Sequence, residues 1–179
     1  MLGCLEIHCP VLEVVMSSKK WLPICRRRAI RQSIILELRM RVCGVDIKSY
    51  EAIFVVCEPS IGAAIPINIK TNRLKLKDAD DGSHLKSFLR AVEGFLHENN
   101  VDAVVIKERL GKGPRAASGV TFKIEAMFQI AHGKVSLVHG KTLDKFSKSN
   151  VAGIPAGLPV FQRDAFLASA WRLNEEKLL

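Results

Sequence analysis

The sequence predicts an α/β domain with a mixed five-stranded sheet and helices on both of its faces. Three observations lead there. Short apolar runs with strand-like alternation come first, and runs of helical period then alternate with further strands. The first two strands are separated only by Lys48, Ser49 and Tyr50, which makes them an antiparallel hairpin. The later strands are each preceded by a helix, which makes them parallel neighbours through right-handed crossovers.

The first strand is Arg41–Ile47, with Cys43, Val45 and Ile47 on one face and Val42, Gly44 and Asp46 on the other. Glu51–Cys57 is the second, and Ala63–Ile69, running on toward Leu76, the third. After the polar turn Asp78–Gly82, Leu85, Phe88, Leu89, Val92, Phe95 and Leu96 trace one face of a helix over Ser83–Asn99. Asp102–Lys107 is a fourth strand, apolar on both faces and therefore central. A helix over Ala117–Ala131, a fifth strand at Lys134–Val138 and a short helix at Lys141–Ser149 follow. Beyond the Gly- and Pro-rich stretch Asn150–Pro159, a closing helix runs to about Asn174, with proline suited to its first turn. An antiparallel meander followed by parallel strands beside the first is the ribonuclease H-like architecture.

Composition bounds the function. With 48% apolar and 25% charged residues, the 179-residue chain is ordinary globular sequence of one-domain size. Its five cysteines are odd in number and form no CxxC pair, which points to a reducing, cytoplasmic setting and away from a disulfide framework or a structural zinc site. No apolar run is long enough to span a membrane. The 27 basic residues exceed the 18 acidic ones by nine, a balance that favours a polyanionic partner, nucleic acid first. Residues 1–39 hold the RRRAIR cluster and three of the cysteines. They are expected to be a basic N-terminal extension, poorly packed or of the kind a misassigned start codon adds, with residues 40–179 as the domain. A working basic arm, or a plain part of the fold, are the other readings of that segment.

Three acids stand where metal chemistry would want them. Asp46 nears the end of the first strand beside Gly44, and Glu108 follows the fourth strand, its expected parallel neighbour. Asp164 lies on the closing helix with Val160, Leu167, Ala168 and Trp171 at helical offsets. Three converging carboxylates suit a pair of Mg²⁺ or Mn²⁺ ions that polarise a phosphodiester for attack by water. Each also has a plain structural reading: a strand-end Asp bonded to amides, an ion pair of Glu108 with Arg109 or Lys107, and a helix-start acid or salt bridge at Asp164.

The segments VCGVDIK, VVIKER and FQRDAF resemble the RuvC-type branch of the ribonuclease H-like superfamily. That resemblance implies Asp46, Glu108 and Asp164 as catalytic metal ligands. More closely, VCGVDIKSYEA, VVIKERLGKG and FKIEA resemble a bacterial domain-of-unknown-function family, number 3010, from Met40 to about residue 172. Its first acid is often Glu and its last helix reads FQE, so Asp46 and Asp164 sit closer to the nuclease pattern. This family has no assigned activity, and the likeness implies fold more than function.

After Glu108, GKGPRAASG offers two glycines, Lys112 and Arg115 ahead of a helix, but matches neither GxxxxGK[ST] nor GxGxxG. Lys48, Arg109, Lys112, Arg115 and Lys123 are the candidate contacts to a phosphate backbone, and Gly44 and Glu125 the candidate supports of the acids. The leading expectation is a metal-dependent nuclease or resolvase acting on structured nucleic acid, with a homodimer allowed. The alternative is a non-catalytic nucleic-acid-binding or scaffold protein that keeps the fold, favoured by the single tyrosine and so few stacking platforms. A sugar-kinase-like nucleotide binder is weaker, since the chain lacks the second half such a fold needs.

Overall fold

Two strands, β1 (Val42–Lys48) and β5 (Ala103–Lys107), form the centre of the sheet in the computed structural model, which describes residues 40–111, 117–149 and 155–179. They run parallel, with Gly44 opposite Val105 and Val45 opposite Ile106. On the β1 side lies β2 (Glu51–Ser60), antiparallel across a two-residue turn in which Ser49 takes φ +53°. On the β5 side lies β6 (Val135–Val138), parallel to it. Two short strands, β3 (Ala63–Pro66) and β4 (Arg73–Lys75), both pair antiparallel with β2. The main strand order is therefore β3-β2-β1-β5-β6. The first strand and the strand read as fourth are parallel neighbours, as the sequence predicts.

Among the described residues the sheet has six strands rather than five. The stretch read as one third strand ends at Pro66, although the Ile67 N–H still donates to the Val56 carbonyl at 2.9 Å. The chain leaves the sheet and returns as β4 at the other end of β2, while the Phe54 N–H donates to the Asn72 carbonyl between the two strands. Among the described residues four helices cover the sheet: α1 (Gly82–Glu98), α2 (Gly119–Ala131), α3 (Gly140–Ser149) and α4 (Arg163–Glu175). Asp81 caps α1 by accepting from the Ser83 N–H at 2.7 Å. The closing helix starts later than predicted: Pro159 precedes a 3-10 turn, Val160–Gln162, and Val160 is exposed rather than part of an inward stripe.

Strand alternation splits the core in two. Cys43, Val45, Ile47, Phe54 and Val104 meet α1 and α2 on one face, where Phe54 stacks on Phe95 at 4.5 Å between centroids. Val42, Val55, Cys57 and Val105 meet α3 and α4 on the other. Burial pushes the Cys57 thiol up to about 12 and raises Cys43 further, so neither is a nucleophile near neutral pH. Among the described residues no helix is long and apolar enough to cross a membrane. The expected extension, residues 1–39, lies outside the described residues.

The backbone of α4 crosses β1 at Gly44. A Cβ there would stand 1.8 Å from the Ala165 carbonyl oxygen and 2.8 Å from the Ser169 nitrogen. Only a glycine allows this approach, so Gly44 acts as the seat of α4. Gly44→Ala should therefore destabilise the domain by roughly 3 kcal/mol or more, read as a lower urea midpoint. Gly94, in the exposed middle of α1 with open space around it, should respond oppositely: Gly94→Ala should stabilise by about 0.5–1 kcal/mol.

Candidate functional site

The helix α4 seated on Gly44 brings its first turn to the carboxyl ends of β1 and β5, where ligands of α/β sheets bind. Continuing the β1/β5 register by one step sets Asp46 opposite Lys107. Both follow the alternation of Gly44 and Val105 and so point to the α4 face. Asp46 has no exposed surface. The Arg109 guanidinium donates to its Oδ1 at 2.5 Å, and Lys48 Nζ lies 3.2 Å from its Oδ2. That second contact is a charge pair without hydrogen-bond geometry, and Oδ2 has no hydrogen-bond partner. Lys107 Nζ donates to Asp164 Oδ2 at 2.5 Å, tying β5 to the first turn of α4. Three cations thus meet two acids, with one positive charge over.

Of the residues predicted as a site, Asp46, Lys48, Arg109 and Asp164 share this face, with Gly44 beneath them. Glu108 does not join them. It lies one residue past β5, where alternation sends its side chain toward α2, and there it raises the pKa of Glu125. Burial of Glu125 is the larger cause of that rise, and repulsion from Glu108 the second. Lys123 is elsewhere again, donating to the Ala79 carbonyl at 2.8 Å and to Asp80 at 2.9 Å, so it fastens α2 to the turn before α1. Lys112 and Arg115 lie outside the described residues. Lys107 is the member that sequence reasoning missed. Its signal was two-residue spacing from Val105 on a strand whose partner carries Asp46.

Two divalent cations need carboxylate oxygens that converge and are free of other charges. Here Asp46 is held by Arg109 and Lys48, Asp164 by Lys107, and Glu108 stands across the sheet. The donors as arranged do not fit a metal pair, and among the described residues no group of three or more His, Cys, Asp or Glu side chains is placed to hold an ion.

The profile of a protein family, described as "Protein of unknown function (DUF3010)", matches residues 40–171. The chain belongs to this family. No curated protein sequence matches the chain. Among solved structures, this family member is similar to RuvC of Thermus thermophilus, with a TM-score of 0.60, 13% identity, and 78% of this chain and 98% of that one covered. It is also similar to T. thermophilus RuvC in complex with a Holliday junction substrate, with a TM-score of 0.52, 14% identity, and coverage of 73% and 90%. At these identities the likeness establishes a RuvC-type, ribonuclease H-like fold for the family member.

The ion pairs make a stability prediction. Asp46→Asn strands the Arg109 guanidinium against a neutral, buried amide, so the domain should lose about 2–4 kcal/mol in chemical denaturation. A cluster of mutually repelling carboxylates would respond with a gain instead. Glu125 gives a pH prediction. Its carboxyl pKa is raised in the folded state above its ordinary 4.5, so its ionisation weakens the fold above that pH. Glu125→Gln should raise the melting temperature at pH 7, and the gain should fade as pH falls below the ordinary value, where the wild-type carboxyl is protonated folded or unfolded.

Proposed function

We propose that this family member binds structured nucleic acid through the positively charged rim at the carboxyl ends of β1 and β5, with no cleavage step. The observation that carries this reading is the excess of cations at that rim, Lys48, Lys107 and Arg109 against Asp46 and Asp164. Lys48 is half exposed and faces solvent, where a phosphate can reach it. Two facts lend support: residues 40–179 retain five of the nine excess positive charges, and a neighbour of the same fold is described with a Holliday junction.

The second reading is the Mg²⁺- or Mn²⁺-dependent phosphodiesterase, with Asp46, Glu108 and Asp164 as ligands. The buried Asp46 Oδ2 that lacks a hydrogen bond favours it, since such an atom suits a cation not yet present. Rearrangement of Arg109 and Glu108 would be needed to complete the set.

One experiment separates the two. Labelled four-way junction DNA and a matched duplex are titrated with the protein in chelator, in Mg²⁺ and in Mn²⁺, at several salt concentrations, and the products are run on a denaturing gel. The first reading expects binding in chelator, a steep loss of affinity with salt, intact DNA, and a salt slope flattened by about one in Lys48→Ala. Absence of binding at low salt overturns it. Metal-dependent cleavage that disappears in Asp46→Asn transfers the function to the second reading.

A further inference from the structure

Beside the charged rim, on the same face of the sheet, a groove opens between the chain that links β3 to β4 and the segment leading into α4. Its volume is about 340 Å³. Val55 forms part of its lining, Ile67 and Leu158 add apolar surface, and Asn68, Asn72 and Gln162 bring side-chain amides. Among the described residues no charged side chain lines it. We propose that this groove takes one unpaired nucleobase of a bound single strand, while the flanking phosphates rest on the basic rim. The proposal rests on the nucleic-acid reading above and deepens it.

Four features favour this occupant. The volume suits a nucleobase, at the small end of ligand pockets. The lining is neutral, which fits a flat uncharged ring and not a phosphate. A carboxamide presents a donor and an acceptor side by side, the complement of a purine edge such as N6 and N7 of adenine. Gln162 supplies only part of such a pair, since its Nε2 donates to the Phe54 carbonyl at 2.8 Å and its Oε1 remains as an acceptor, so Asn68 and Asn72 are the amides for the paired contact. The charge around the groove is also complementary to a strand. Residues 67–77 include Lys70, Arg73, Lys75 and Lys77 with no acid among them, against one acid, Glu51 of β2, which lies 3.9 Å from Arg73. Arg73 lies 4.6 Å over the ring of Phe161, next to Gln162. On the other side of the same segment Lys48 Nζ reaches the Phe161 carbonyl at 3.5 Å. Residues 161–164 are thus a shared wall, with Gln162 on the groove and Asp164 on the charged cluster.

The test compares a dA-rich single-stranded oligonucleotide with one of equal length and charge carrying abasic residues, bound to the full chain and followed by anisotropy. Wild type should prefer the intact strand by about tenfold, the discrimination one amide–base pair supplies. Asn68→Leu/Asn72→Leu should abolish that preference and leave abasic binding unchanged. The Asn72 carbonyl that accepts from Phe54 is main chain, so the change spares it. Asn68→Ala/Asn72→Ala, which adds no apolar bulk, should act in the same direction. Equal binding of both strands by wild type, or binding of neither, overturns the groove proposal; the nucleic-acid reading falls only if the four-way junction also fails to bind at low salt. A wild-type dimer in sedimentation that the leucine double variant dissociates would assign the groove to a second copy and overturn the proposal.

Discussion

A carboxylate without exposed surface on the central strand governs this structure. Asp46 cannot remain ionised in the interior without opposing charge close by, because the loss of hydration costs several kcal/mol. The chain meets that constraint with Arg109, sent back from just past the neighbouring strand, and Lys48, two residues along its own strand. Both partners keep some contact with water, which lowers the cost of holding them. Gly44 sets the second half of the arrangement. By letting α4 rest on the β1 backbone, it brings Asp164 within reach of Lys107. The seat of the helix and the placing of the acid are two consequences of the five residues Gly44–Lys48.

Much of this was legible without coordinates. The alternation in VCGVDIK placed Gly44 and Asp46 on one face, and topology placed the strand ending in VVIK beside it. What failed to show was phase. Strand pairing puts Lys107, and not Glu108, opposite Asp46, and one residue of phase moves a side chain to the other side of the sheet. An acid directly after an apolar run looks like a site residue until its register is known. The same limit applies to the third strand. A ten-residue β2 has room for two short partners, and whether the chain between Pro66 and Arg73 stays in the sheet depends on Asn72 meeting Phe54, a contact remote in sequence. The closing helix was legible in kind, but its first turn was not, because Val160 keeps helical spacing while facing solvent.

The faces of the sheet consequently differ in electrostatics. The α4 face carries an excess of cations around two compensated acids, while on the α2 face Glu108 stands close enough to Glu125 to oppose the ionisation of Glu125. In the proposed reading, a polyanion approaches from the α4 face, where the excess of cations lies.

Ion pairing also limits what the rim contributes. A phosphate that recruits Arg109 must take it from Asp46, and the buried carboxylate then loses a strong partner, so that exchange yields little net free energy. Lys107 is restrained in the same way by Asp164. Affinity in this arrangement has to come from cations not hydrogen-bonded to an acid: Lys48, half exposed and held to Asp46 only by a charge pair, and Lys70, Lys75 and Lys77 in the basic run beside the groove. The paired cations act mainly to hold the rim rigid and its charge positive. In the proposed reading, shape then does the discriminating, because a neutral groove beside a fixed positive rim accepts a base only when the backbone can lie across both.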